Sequence, residues 1–116
     1  MLHHIALSLL RGLTQPQCVD LLRNIHHPRA LFEDTAAALD TLDQLVPATR
    51  TQLLHLFAER GEEALCRAAD ELEFCRRHSI RPLALGTDDY PRRLAECPDA
   101  PAVVYYRGTA DLDARH

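Results

Sequence analysis

The chain has no lysine; its 13 basic residues are all arginine. Such a bias follows from a GC-rich genome more readily than from chemistry, although the guanidinium does favour bidentate phosphate contacts. Positive charge is scarce overall: 17 acidic residues leave a formal net charge of −4. That balance excludes a surface devoted wholly to nucleic-acid phosphate and confines any such role to a local patch. Aromatic residues make up 5% of the chain, too few for an extended base-stacking platform. No apolar run approaches the roughly 18 residues of a membrane span, and no basic segment leads into one. A cytoplasmic protein without membrane contact is expected.

Metal and redox motifs are also missing. Cys18, Cys66, Cys75 and Cys97 form no CxxC pair, which leaves zinc or thiol exchange without a motif. Cys66 and Cys75 are nine positions apart, on opposite sides of a helix, and cannot bridge; buried free thiols are expected. The doublets His3-His4 and His26-His27 point their side chains in different directions, with no carboxylate placed to complete a metal site. Asp88, Asp89 and Asp99 each have a turn or capping duty. With no nucleophile, base or metal partner evident, neither catalysis nor a cofactor is expected.

What is present is helical periodicity followed by a change of period. Leu2 to Leu10 is apolar enough for a mostly buried short helix, ended by Arg11-Gly12-Leu13. Thr14 is positioned as an N-cap with Pro16 just inside the next helix. Its stripe of Val19, Leu21, Leu22 and Ile25 runs to a break at His27-Pro28. Pro28 opens a short helix through Phe32, and Thr35 caps another reaching Leu42 and Leu45. Pro47 starts a segment carrying Leu53, Leu54, Leu56 and Phe57, with Gly61 marking its end. From Glu62 to about His78 the residues Ala64, Leu65, Ala68, Ala69, Leu72 and Cys75 hold one face, and Arg76, Arg77 and His78 suit the negative end of the helix dipole. Ile80 to Leu85 then reads as a buried strand with Arg81-Pro82 at its exposed beginning.

The segment from Gly86 to Gly108 packs a turn, a helix and a strand into a fixed order. Asp88-Asp89-Tyr90-Pro91 is a turn with Pro91 at the first helical position, and Leu94 faces inward. Pro98-Asp99-Ala100-Pro101 reads as a rigid extended connector, and Ala102 to Tyr106 as a strand stopped by Gly108. Alternation puts Tyr105 and Tyr106 on opposite faces, one of them exposed. The fold class is α+β, mainly α. It comprises a helical domain over residues 1–78 and, over residues 79–116, a two-stranded start of an α/β domain that the chain does not complete. A strand left without neighbours exposes unpaired backbone groups, so pairing with a second copy, a homodimer, is a further expectation.

Between the first two helices, Leu10-Arg11-Gly12-Leu13-Thr14-Gln15 has the outline of a helix-hairpin-helix, whose glycine-bearing turn offers backbone amides to a DNA phosphate. Arg11, Gly12, Thr14, Gln15 and Arg23 are the candidate DNA-binding residues. Thr14 stands where such hairpins carry a second glycine, which restricts close backbone approach. A hairpin kept for packing alone is the competing reading.

The Gly12-centred hairpin, the short helices and then the order strand, DDYP, RLAE, PDAP, VVYYRG resemble the amino-terminal part of the DprA or Smf family of DNA processing proteins. The specific portion is Leu83 to Gly108. The resemblance implies a protein that binds incoming single-stranded DNA in natural transformation and helps load RecA on it, without catalysis. It also implies a helical part like a sterile-alpha-motif or helix-hairpin-helix domain, followed by an extended Rossmann-like domain that carries most DNA and RecA contacts. This chain would then have an accessory DNA-handling or partner-contact role, with weak or no DNA binding of its own. A helical module that docks a partner protein and touches no DNA is the alternative.

Overall fold

The computed structural model describes residues 1–107; the expected strand stop at Gly108 and the tail from Ala110 to His116 lie outside them. Among the described residues, six helices and two strands follow one another in the order α1 (Leu2–Leu9), α2 (Gln15–Asn24), α3 (Arg29–Glu33), α4 (Thr35–Asp40), α5 (Pro47–Arg77), β1 (Ile80–Ala84), α6 (Arg92–Ala95) and β2 (Val103–Arg107). α1 lies along α5 and buries Ile5, Ala6 and Leu7 almost completely. Leu31 of α3 and Leu39 of α4 close the same core. Each of these leucine and isoleucine side chains contributes on the order of 1.5–3 kcal/mol of hydrophobic stabilisation.

α5 corrects the sequence reading. The expected break at Gly61 is absent, and one helix of 31 residues runs from Pro47 to Arg77. Gly61 is buried inside it, and a Cβ there would sit 3.6 Å from the Phe32 ring. That is an ordinary van der Waals distance, so the position would accept an alanine; packing of the helix against α1 and α3 offsets the roughly 1 kcal/mol by which a mid-helix glycine disfavours it. α5 spans about 45 Å at 1.5 Å per residue, which sets the long dimension of a molecule measuring 43 × 29 × 19 Å.

One cap and one turn also differ from expectation. Asp34, not Thr35, caps α4 by accepting from the Ala37 amide, while the Thr35 hydroxyl turns back to the Leu31 carbonyl at 2.6 Å. α4 stops at Asp40, short of Leu42 and Leu45. At the other end of the chain, Pro98-Asp99 is a turn rather than an extended connector: the Ala100 amide returns to the Cys97 carbonyl at 3.2 Å, and proline suits the second position of such a turn.

β1 and β2 pair antiparallel, with Ile80 opposite Arg107, Pro82 opposite Tyr105 and Ala84 opposite Val103. The two strands thus use each other as neighbours. The core does not stop at Ser79: Leu83, Leu85, Tyr90 and Ala102 belong to the same apolar cluster as the helices. Two contacts fasten this part to α2. The Leu22 carbonyl lies where a Cβ on Gly86 would come within 2.8 Å, and Gly86 has φ +93°; only glycine fits that backbone and that approach. The Arg23 guanidinium donates to the carbonyls of Ala95 and Cys97 at 3.0 and 3.1 Å. No described helix is long and apolar enough to cross a membrane.

Candidate nucleic-acid interface

The hairpin between α1 and α2 is built by a capping box. Thr14 Oγ1 accepts from the Gln17 amide at 3.2 Å, and Gln17 Oε1 accepts from the Thr14 amide at 3.0 Å. The Leu13 amide reaches the Leu10 carbonyl, and Pro16 has no amide to offer. The amides of Leu13, Thr14 and Gln17, which a phosphate would approach at this helix start, therefore already have acceptors inside the turn.

Gly12 adopts φ +92°, and a Cβ on it would fall 2.6 Å from Leu56 Cδ2 of α5. The glycine thus lets the turn sit against the long helix. Arg11 lies on the exposed rim, 3.4 Å from Glu63, with both side chains largely in solvent. Thr14 and Gln15 are exposed at the start of α2. The structure therefore gathers Arg11, Gly12, Thr14 and Gln15 on one turn. It does not bring Arg23 to them: eight residues further along α2, about 12 Å at the helical rise, Arg23 faces α6 and holds its last carbonyls.

Folding does bring the two histidine doublets together. His3 and His4 from α1 and His26 and His27 from the turn after α2 line one cavity of about 610 Å³, with Arg29, Glu33 and Asp34. Doublet spacing could not show this, because the two pairs meet only once α2 has folded back on α1. Arg29 is paired with Glu33, and His3 packs its ring on Phe32. Burial lowers the pKa of both His3 and His4, and His4 Nδ1 is buried without a hydrogen-bond partner. Among the described residues no group of three or more His, Cys, Asp or Glu is placed to hold a metal ion.

The cysteines divide. Cys18 and Cys75 are buried, and burial pushes the Cys18 thiol up to about 12; Cys66 is exposed and Cys97 half-buried. Nucleophilic thiolate character requires the opposite shift.

Sequence reading missed one surface feature. Phe74 is 52% exposed on the last turns of α5, with its ring 4.3 Å from that of His78. The signal was present in its position, outside the apolar stripe of Ala64, Ala68 and Cys75. Tyr105 is the exposed member of the tyrosine pair at 43%, and Tyr106 is half-buried. No protein-family model, curated protein or solved structure matches this chain.

Proposed function

We propose that this chain is the amino-terminal part of a DprA-like DNA processing protein and serves it in an accessory capacity, in DNA handling or partner contact. Binding of incoming single-stranded DNA and loading of RecA belong, in this reading, to the whole protein, through an extended Rossmann-like domain that β1 and β2 begin. The helical part corresponds to the helix-hairpin-helix or sterile-alpha-motif-like domain. No catalytic role is assigned, and the protein is placed in the cytoplasm.

The observation that carries the reading is the folded form of the DDYP–PDAP segment. Its turn, helix, second turn and strand follow the order of the resemblance, and Tyr90, the central residue of DDYP, is buried and bonded to the Pro101 carbonyl at 2.8 Å. Segment and helices share one core, as expected of a junction between a helical module and a sheet. The test uses the product of the native gene. It should bind labelled single-stranded DNA in preference to duplex, with affinity falling as salt rises, and should speed RecA filament formation on that DNA. Equal affinity for duplex, or no effect on RecA, overturns the proposal.

A second reading, a module that docks a partner protein, is favoured by the hairpin itself. The amides of Leu13, Thr14 and Gln17 are occupied, Arg11 faces Glu63 and Arg23 is engaged with α6. Arg11→Ala should weaken DNA affinity if the hairpin holds phosphate; unchanged affinity removes the hairpin from the interface.

A further inference from the structure

Among the described residues β1 and β2 make a sheet of two strands, so each has one edge turned to the other and one edge left over. A single bond tells which residues serve which edge. The Leu85 amide donates to the Ala102 carbonyl at 2.9 Å, in the register that sets Ala84 opposite Val103. Bonded and non-bonded pairs alternate along an antiparallel ladder. Leu83 with Val104 and Arg81 with Tyr106 are therefore the next bonded pairs, and the backbone groups of Ile80, Pro82, Ala84, Val103, Tyr105 and Arg107 point outward.

The two outward edges are unlike. On β1, Pro82 has no amide to donate, and the Ala84 carbonyl already accepts from the Thr87 amide at 3.2 Å and the Thr87 hydroxyl at 2.7 Å. Proline on an outer edge blocks the addition of another strand. On β2, no described residue bonds the outward amides and carbonyls of Val103, Tyr105 and Arg107, and none of the three is proline. Val103, Val104 and Tyr106 pack against the core, whereas Tyr105 is 43% exposed and Arg107 is exposed. Such an edge accepts an extended strand through its main chain.

The edge also fits itself. Two copies of β2 laid antiparallel about a two-fold axis at Tyr105 set Tyr105 opposite the partner's Tyr105 and Val103 opposite the partner's Arg107. Every outward amide and carbonyl of the strand then meets a partner. A slip of one residue would call on groups already bonded to β1. A longer slip, until Arg107 faced the partner's Arg107, would oppose like charges and leave a single bonded pair. In the centred register Arg107 lies diagonal to the partner's Tyr105, within reach of its ring.

We infer that the chain forms a symmetric dimer in which β2 pairs with β2 of a second copy, giving a continuous sheet in the order β1-β2-β2-β1. The ends of that sheet are the two edges carrying Pro82, so assembly closes at the dimer and does not run on into a fibre. An edge of five residues is small beside the about 1,200–2,000 Å² buried in stable complexes, and the dimer should dissociate on dilution through the micromolar range. This contact is independent of the DNA-processing reading.

The test is sedimentation velocity of the full 116-residue chain across concentrations, joined by residue-resolved amide exchange in dilute and concentrated samples. A monomer–dimer equilibrium is expected. Exchange at Val103, Tyr105 and Arg107 should slow about ten-fold on concentration, while Ile80 and Ala84 on the blocked edge stay unchanged. Tyr105→Pro removes an outward amide and no bond to β1, and should weaken the dimer about ten-fold or more; Tyr105→Ala keeps the amide and should weaken it less. A monomer at every concentration, open-ended larger species, or a dimer whose β2 amides gain no protection overturns the inference, as does a folded Tyr105→Pro variant that dimerises like the parent. If Tyr105→Pro does not fold, the exchange measured on the parent chain decides alone.

Discussion

Tyr90 and Pro101 lie eleven positions apart and are joined by one hydrogen bond, from the buried phenol to the Pro101 carbonyl at 2.8 Å. Tyr90 fills the core between the strands and α2, while its hydroxyl fixes the entry to β2. Tyr90→Phe keeps the ring and leaves the carbonyl without its donor, a loss of about 1 kcal/mol. Tyr90→Ala also empties a core position and is expected to cost about 3–5 kcal/mol. Urea unfolding of the two variants checks both values; a Phe variant as unstable as the Ala variant would refute the division between ring and hydroxyl.

Arg23 and Arg11 look alike in sequence and should behave differently. Arg23 donates two hydrogen bonds to the end of α6, so Arg23→Ala is expected to lower stability by about 1 kcal/mol and to speed amide exchange around residues 95–97. Arg11 shares only a solvent-exposed pair with Glu63, and Arg11→Ala should change stability by less than about 0.5 kcal/mol. Thermal melts with hydrogen exchange on both variants distinguish a brace from a surface charge.

Three small residues give opposite signs. Gly61→Ala should stabilise by about 0.5–1 kcal/mol, since its Cβ meets the Phe32 ring at an ordinary 3.6 Å and its backbone is helical. Gly86→Ala should destabilise by at least that much, having both a positive φ and a carbonyl in the way. Ser79 occupies φ +55° just after α5, a conformation that disfavours a side chain by about 1 kcal/mol, so Ser79→Gly should stabilise. Paired denaturation curves decide all three.

Acid should weaken the amino-terminal end. His3 and His4 have pKa values held below 6.5 by burial, so in mildly acid solution the unfolded chain binds their protons more readily than the folded one. Their contribution to stability is complete above about pH 6.5 and declines as the pH falls through that value toward the lowered folded values. His4→Leu removes a titrating group and a buried nitrogen without a partner; it should raise stability and flatten the melting-temperature profile between pH 7 and 5. A profile identical to that of the parent would assign the acid sensitivity elsewhere.

Much of the fold was legible because its signals are local. Thr14 with Pro16, Pro28 and Pro47 announce helix starts by their own backbone chemistry, and the shift to Ile80–Ala84 is a change of period. Gly61 misled because a glycine has the same letter whether it ends a helix or is carried inside one, and the packing of α1 and α3 that keeps α5 unbroken comes from residues far away in sequence. Pro98 and Asp34 were missed for the opposite reason: proline serves a turn and an extended connector equally well, and two adjacent residues competed for one cap. Arg23 looked like a phosphate ligand because nothing near it in sequence reveals that the carbonyls of Ala95 and Cys97 arrive to meet it.

The unbroken course of α5 has a geometric consequence. Leu53 at one end is buried beneath the short helices and Phe74 at the other is exposed, with no flexible joint between them. Each residue advances the helix by about 100°, so deleting or inserting a single residue in the middle of α5 would turn Phe74 by that angle relative to Leu53 while leaving both ends helical. Core and surface are held in one angular register, and the length of this helix is as much part of its information as the identity of its side chains.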